Sequence, residues 1–413
     1  KYDLIPEALR QLKSRLKGSV LSCTDSGSDS SRGTSGIILA VLTGDRTGLD
    51  EETRSIYQST GIMHIFAISG LHVSFLGMGL FRMLRKKIRF LPCAAISIAV
   101  VACYAIMCGA SPSAVRAVIM MTVNILSIRA GRKYDMLSSL SLACVLLLVR
   151  NPFYITGSGF QLSFAAILGI ACISDPAIHF LGLSGETLLK RAASSLISGL
   201  SITLTTLPVI AMNYYEFPLF SLAVNLLIVP MLPAVLAGSF AGSILGIFSI
   251  GAGKFCLGPI VYLLNMLGSL CQAVSSLPFA LVNTGMPSEA AVIIYYFLLA
   301  AMAVSMQLFT RINRDPDKNI LIRRRVCIAA FVIVIVTVIT FRPPKSGLDI
   351  TFLDVDQGEC ILIEAPSGHI TMIDAGSTGV TDVYRYRIES ALKYRAVTHI
   401  DCFIVTHPDS DHI

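Results

Sequence analysis

Apolar residues fall in long blocks between about residue 63 and residue 342. The blocks lie near 63–84, 91–108, 112–128, 136–150, 158–173, 192–212, 219–250, 256–277, 290–309 and 326–341. A helix needs about 20 apolar residues to cross a bilayer, so the pattern predicts a polytopic α-helical membrane protein with about ten helical segments. No side chain between Phe217 and Gly253 is charged. That stretch is long enough to cross and turn back, and Pro230 and Pro233 point to one crossing plus a re-entrant piece. Several blocks are short or carry Gly or Pro. Irregular backbone survives at membrane depth only where protein or a water-filled cavity surrounds it, which favours a protein that forms a pathway over a simple anchor.

The flanks read differently. Ile5, Leu9, Leu12 and Leu16 recur at helical spacing with Arg10, Lys13, Arg15 and Lys17 between them, the pattern of a basic amphipathic helix lying at a membrane surface. The polar stretch Cys23–Arg32 reads as a helix cap or loop. After residue 343 the period shortens to strands at Leu348–Val355, Cys360–Ala365 and His369–Ile373, with a turn at Pro366-Ser-Gly368. A helix over about 383–394 and a buried strand at Asp401–Thr406 follow. This β-β-β-α-β order predicts a partial α/β layered domain. The expected organisation is an interfacial lead-in (1–62), a transmembrane domain (63–342) and the beginning of an α/β domain (343–413).

Composition sharpens this picture. Of 413 residues, 54% are apolar and 14% charged, against roughly 25% charged in soluble domains. The net charge of +7 is no argument for nucleic acid by itself, because cytoplasmic loops of membrane proteins collect Lys and Arg. The same rule puts Arg85–Arg89, Arg129–Lys133, Lys190-Arg191 and Arg311–Arg325 inside, so residues 1–62 and 343–413 are expected outside. Tyr214, Tyr215 and Glu216 then fall in an outer loop, where interfacial anchoring suits the tyrosines. The 11 cysteines form no C-x-x-C pair and sit mostly in apolar blocks, so neither a disulfide framework nor a structural zinc site is indicated. The chain starts on Lys and stops inside a motif, and is read as a piece of a longer protein.

Two constellations can carry chemistry. The first is His407-x-Asp409-x-Asp411-His412, after a strand. Imidazoles and carboxylates this close can converge on divalent metals, which lower the pKa of bound water; the plainer reading is a polar surface loop. The second comprises His64, Ser69 and His72 in the first apolar block, with Arg116 and Gln161 further on. Ionisable groups at membrane depth are costly and mark cavities or partners. They also fit helix packing: hydrogen-bonded histidines, a Ser-Gly close approach, an ion pair or carbonyl partner for Arg116, and an interhelical bond for Gln161.

The segments Thr43-Gly-Asp-Arg-Thr-Gly-Leu-Asp50 and His64-Ile-Phe-Ala-Ile-Ser-Gly-Leu-His-Val73 resemble the ComEC-type competence protein family. So do Gly109-Ala-Ser-Pro-Ser-Ala-Val-Arg116, Asn151-Pro-Phe153, Gly159-Phe-Gln-Leu-Ser-Phe164, Leu207-Pro208 and Asn225-Leu-Leu-Ile-Val-Pro230, in matching order. The His407 loop resembles the H-x-H-x-D-H motif of metallo-β-lactamase-like domains, which many members carry. Ile373-Asp374-Ala-Gly376 and Asp354-Val-Asp-Gln-Gly358 fit the same domain, with Asp354, Gly358 and Asp374 as structural residues. The family's D-V-G-Q-G-D-S pattern has Gly where this chain has Asp356, and Asp-Ser where it has Glu359-Cys360. Asp356 strains its turn if φ there is positive.

The resemblance implies a channel carrying single-stranded DNA into the cytoplasm during natural transformation. His64, Ser69, His72, Arg116 and Gln161 are its candidate path. It implies an extracytoplasmic nuclease-like hydrolase holding two divalent ions, one on His407 and Asp409, the other on Asp411 and His412, with Asp411 catalytic. Asp409 replaces a nitrogen ligand by a hard oxygen, which shifts preference from zinc toward manganese or magnesium. With half a ligand set, this chain is expected to bind metal weakly. Implied partners are membrane lipid, a DNA receptor outside, a helicase-like ATPase inside and further copies of the chain. Two other classes fit the residues: a small-solute or lipid-precursor permease fused to a metallohydrolase, and a membrane-anchored metallohydrolase.

Overall fold

The computed structural model describes residues 4–24, 29–63, 70–183, 185, 187–312, 318–340, 347–409 and 412. The helices are α1 (Leu4–Thr24), α2 (Asp29–Thr43), α3 (Glu51–Ser59), α4 (Gly70–Arg85), α5 (Phe90–Met107), α6 (Pro112–Arg129), α7 (Met136–Arg150), α8 (Ser158–Leu168) and α9 (Asp175–Phe180). There follow α10 (Leu188–Tyr214), α11 (Ser221–Ile228), α12 (Leu232–Phe248), α13 (Ile250–Ser275), α14 (Glu289–Ile312), α15 (Lys318–Thr340) and α16 (Glu389–Tyr394). The strands are β1 (Glu216–Pro218), β2 (Leu281–Asn283), β3 (Asp349–Phe352), β4 (Ile361–Glu364), β5 (Ile370–Ile373) and β6 (Cys402–Ile404). The chain divides into two compact units, one of residues 1–175, 184–205 and 218–281, the other of 176–183, 206–217 and 282–413.

Helix starts follow their side chains. Asp50, Ser111, Asp135 and Ser249 each accept a backbone N–H three residues on, opening α3, α6, α7 and α13. Such caps satisfy donors that have no partner inside the helix. In the first unit, Val20 and Cys23 of α1 and Ile37–Leu42 of α2 are buried with Val235, Leu236 and Leu257 of α12 and α13. The C-terminal half of α1 is therefore used for protein packing, while Leu12 stays exposed. Small residues set the helix spacing: a Cβ on Gly253 would lie 2.7 Å from Gly246 Cα and 3.2 Å from Gly242 O. Close backbone approach of this kind is how apolar helices associate without a hydrophobic drive.

Among the described residues, six helical runs are long and apolar enough to cross a membrane: Phe90–Met107, Ser158–Phe180, Leu188–Tyr214, Ser221–Phe248, Ile250–Ser275 and Glu289–Thr310. The chain is thus a multi-pass membrane protein. The other predicted blocks also form helices, but α4 and α7 have 16 and 15 residues, and α6 and α15 carry arginines. Over 219–250 the chain shows no re-entrant piece. Pro230 sits in a 3₁₀ turn, Val229–Met231, and the flanking Ile228, Val229, Met231 and Leu232 keep right-handed helical dihedrals, so α11 runs on into α12. Within Ser158–Phe180 the helix widens to a π turn at Gly169–Ser174.

The second unit holds a four-stranded sheet in the order β3-β4-β5-β6. Its first three strands are antiparallel and β6 is parallel to β5 after the α16 crossover. This is the expected β-β-β-α-β order, with the Pro366–Gly368 turn closed by Gly368 at φ 85°. Val355, Cys360, Leu362 and Met372 pack against Ile388 and Leu392 to form the core. The opposite sheet face carries exposed Ile350, Phe352 and Ile404. The Asp401–Thr406 strand is not buried as expected, because Phe403 and Ile404 lie at the sheet edge and are about half exposed.

In the same unit, α16 is tied to the segments that carry β1 and β2. Lys393 Nζ lies 2.7 Å from buried Glu216 and 3.0 Å from Glu389. Tyr394 meets Tyr215 edge to face at 5.3 Å, and its carbonyl accepts the Met286 N–H at 2.9 Å. Arg395 reaches Asp349 at 2.7 Å and Glu364 at 2.6 Å, binding the sheet to the same turn. The ammonium gains more from its two carboxylates than it loses to burial, so the Lys393 pKa rises.

Removing one member of a buried pair leaves the other charge stranded. Lys393→Ala is therefore expected to cost about 2 kcal/mol, discounted because Lys393 stays partly exposed. Thermal unfolding in detergent measures the loss, and the reversed pair Glu216→Lys with Lys393→Glu is expected to recover part of it. Gly253→Leu is expected to cost about 1–3 kcal/mol through overpacking, read in the same assay against Gly251→Leu, whose position is open.

Candidate functional site

Strand β6 runs into the loop that carries His407, Asp409 and His412. Asp374, immediately after β5, is fully buried and anchors it. Its Oδ1 accepts the Thr406 N–H at 2.8 Å; its Oδ2 accepts the Thr406 hydroxyl at 2.7 Å and His412 Nδ1 at 2.8 Å. Burial pushes the Asp374 carboxyl up, but these three bonds and the nearby imidazole outweigh it and hold the pKa at about 2. An ionised carboxylate is acceptor only, so His412 donates through Nδ1 and keeps Nε2 free of that bond. The Thr406 hydroxyl, its proton committed to Asp374, lies 3.0 Å from His407 Nδ1 and can accept from it. Both imidazoles thus have their Nδ1 atoms held from behind, the arrangement that aims Nε2 at a metal.

The rest of the loop closes on this pair. The His407 and His412 rings lie 3.7 Å apart, tilted by 45°. His407 Nε2 is 3.6 Å from Asp409 Oδ2, and the His412 N–H donates to the Asp409 carbonyl at 2.9 Å. The structure therefore gathers His407, Asp409 and His412, while Asp411 lies outside the described residues. Glu359, Asp374 and His412 also present ligand atoms within 4.8 Å of one another. Ligands of one divalent ion sit at about 2.0–2.2 Å from it, so a set this tight fits a single ion. Both Asp374 oxygens already accept hydrogen bonds, which suits it to orienting His412 and leaves Glu359 as the outer carboxylate. Sequence reasoning saw Glu359 only as a departure from a family pattern; an acidic residue kept there was the signal it missed.

The loop that brings Glu359 in depends on the turn before it. Asp356 has φ 68°, so the strain expected of a non-glycine there is present. Asp is among the residues that tolerate this region. Asp354 Oδ1 accepts the Asp356 N–H at 3.3 Å, and the Gly358 N–H donates to the Asp356 carbonyl at 3.1 Å. Asp354 also pairs with Arg387 at 3.3 Å. Asp354 and Gly358 therefore sit in a turn, as expected.

In the first unit, His64 and Ser69 lie outside the described residues. His72 on α4 is buried. Arg116 on α6 is 5% exposed, donates through Nη1 to the Ser163 carbonyl of α8, and lies 5.7 Å over the Phe164 ring. A Cβ on Gly70 would come within 3.2 Å of Arg116 Nη2, so the glycine makes room for the guanidinium. Arg116 joins α4, α6 and α8, the bundle-internal role. Gln161 Nε2 donates at 3.0 Å to the Ile155 carbonyl of the preceding turn. A second buried arginine, Arg324 on α15, donates to the Phe180 carbonyl at 3.2 Å and stacks 4.7 Å over that ring. Its stretch, read from sequence as a basic loop, is helical from Lys318.

Residues 41–309 match the family model described as Competence protein. The chain is 24% identical over 398 residues to ComE operon protein 3 of Bacillus subtilis (strain 168), covering 92% of this chain and 48% of that protein. It is 24% identical over 409 residues to Competence protein ComA of Neisseria gonorrhoeae, covering 91% and 51%. Recombination protein 2 of Haemophilus influenzae (strain ATCC 51907 / DSM 11121 / KW20 / Rd) is 37% identical over 78 residues, 19% of this chain and 8% of that protein. The chain spans about half the length of the first two relatives. No solved structure matches.

Thr406→Val removes a hydroxyl that serves Asp374 and lies against His407. It is expected to cost about 1.5–3 kcal/mol, the worth of one hydrogen bond to a charged group, since the His412 bond to Asp374 Oδ2 remains, whereas Thr406→Ser is near neutral. Thermal unfolding, with hydrogen exchange of β5 and β6 as a local readout, separates the two.

Proposed function

The chain belongs to the competence protein family, and on that premise we propose that its helical unit conducts single-stranded DNA across the cytoplasmic membrane during natural transformation. The sheet domain faces outward in this reading, where the whole protein meets incoming DNA and hydrolyses phosphodiesters. The observation that carries the reading is the attachment of α16 to Tyr215 and Glu216. Those two residues fall in an outer loop by the distribution of Lys and Arg, so the domain bound to them belongs outside. The Lys and Arg distribution assigns the side, and the ion pair carries that assignment to the sheet domain.

Two divalent ions, when bound, supply Lewis acidity and a water activated near neutral pH. His407, Asp409 and His412 would hold them together with Asp411, and Asp409 would tilt the preference toward manganese or magnesium. Asp374 and Thr406 orient the imidazoles, and Asp411 is the catalytic carboxylate. Arg116 and His72 line the conducting helices, Arg116 offering the strand's phosphates a cation in exchange for its carbonyl contact. A DNA receptor outside, a helicase-like ATPase inside and further copies of the chain complete the assembly.

The test is genetic. Deleting the gene in a naturally transformable host is expected to lower transformation frequency at least a hundredfold while DNA still binds the cell surface. Unchanged frequency removes the DNA reading. Arg116→Ala is expected to impair transfer even where Asp411→Ala spares it; the opposite pattern favours a membrane-anchored hydrolase whose helices are scaffold.

A further inference from the structure

Between β5 and α16 the chain makes a π turn at Tyr384–Ile388, with the sequence Tyr-Arg-Tyr-Arg-Ile. The turn is held from below. Val383 packs against the domain core and Ile388 is fully buried within it. These two anchors are five residues apart, the spacing of one π turn, where an α turn would bring back the fourth. The wider turn leaves Tyr384, Arg385, Tyr386 and Arg387 between the anchors. Tyr384 is 54% exposed and Tyr386 63% exposed. Two large rings with an arginine after each, standing off a small domain, have no packing role that the core requires.

The surroundings give the turn a direction. Arg387 Nη1 pairs with Asp354 at 3.3 Å, and Asp354 opens the turn that carries Gln357 and Glu359. Glu359 in turn presents its carboxylate beside Asp374 and His412. The Tyr-Arg-Tyr-Arg turn therefore adjoins the loop that carries one edge of the candidate metal centre. Asp354 is 84% exposed in its side chain, and an ion pair this wet exchanges readily for another anion.

We infer that Tyr384, Arg385, Tyr386 and Arg387 form a platform that guides a single DNA strand along the loop toward His412. Flat exposed rings interleaved with guanidinium groups match what an unpaired strand offers, namely stacking faces on its bases and a phosphate at each step. A duplex hides its base faces and gains only from the arginines. The inference rests on the DNA reading above and names the residues by which the outer domain takes its strand.

The experiment uses the 413-residue chain in detergent with chelator present, so that no metal chemistry enters. A fluorescent oligothymidine and a duplex of equal length are the probes, in fluorescence anisotropy across a salt series. Tyr384→Ala and Tyr386→Ala are each expected to weaken oligothymidine binding about tenfold while Tyr→Phe at either position preserves it. Arg387→Gln is expected to reduce the salt slope by about one phosphate contact. Ultraviolet crosslinking of an iodouracil-substituted strand is expected to label Tyr384 or Tyr386 in the unsubstituted chain, a readout that needs no variant to fold. Oligothymidine bound as tightly by both alanine variants, with the crosslink elsewhere, overturns the platform and spares the DNA reading. An unsubstituted chain that binds no oligothymidine at low salt overturns both.

Discussion

Polar groups at membrane depth have no water to turn to, and this constraint organises the helical part of the chain. An unsatisfied donor or acceptor in hydrocarbon costs several kcal/mol, so each polar side chain there needs a partner within reach. Tyr104 donates to the Val41 carbonyl at 3.0 Å, and the same rule reaches the lead-in helices packed on the bundle, where Ser19 donates to the Ser243 carbonyl at 2.8 Å and Thr34 to Asn265 at 2.6 Å. Each bond also joins helices distant in sequence, α5 to α2, α1 to α12, and α2 to α13. What solves the solvation problem thus fixes the packing partners, and the glycines at 246 and 253 bring the backbones close enough for such short bonds to form.

Arg116 and Arg324 show the same rule under greater strain. A guanidinium cannot shed its charge, so each donates to a helix carbonyl and lies over an aromatic ring, Phe164 in one case and Phe180 in the other. A ring face offers the cation an attraction that needs no water. Arg324 meets the carbonyl of Phe180, the last residue of α9, where unpaired carbonyls and the negative end of the helix dipole favour a cation. Arg116 meets the carbonyl of a residue inside α8, a contact that exists because Gly70 leaves the space. A cation held by one carbonyl and one ring gives up little when another anion takes their place, which is the property the proposed role of Arg116 uses.

Much of this was legible in the sequence, and the limits have physical causes. Hydropathy located a helix in every predicted block, since a continuous apolar run has one stable form in lipid. It could not tell that Pro230 leaves a helix running on, because the 3₁₀ turn that absorbs the proline depends on the packing of α11 and α12. Nor could it see that the C-terminal half of α1 meets α12 and α13, since a lipid surface and a helix surface present the same chemistry to Val20. In the sheet domain, period-two alternation found all four strands. It misread β6 as buried because Phe403, Ile404 and Val405 are apolar, whereas burial depends on what covers the face. The His-Asp loop was visible as a motif; Thr406, which holds its imidazoles, was not, because a threonine at the end of a strand looks like any other.

The sheet domain adds a consequence of order along the chain. Helix α16 has three duties within about a dozen residues. Ile388 and Leu392 seal the core, Lys393 and Tyr394 bind the segments around Glu216, and the turn just before it displays Tyr384 to Arg387. Because one short element carries all three, the exposed tyrosines cannot drift independently of the ion pair at Glu216. Arg395, pulled between Asp349 and Glu364, extends the same rigidity to the sheet that positions Asp374. On the proposed reading, a strand on the tyrosines is held at a fixed place relative to His412, and fixed placement is what a reacting centre needs, since misplacement by about 1 Å can cost a hundredfold in rate.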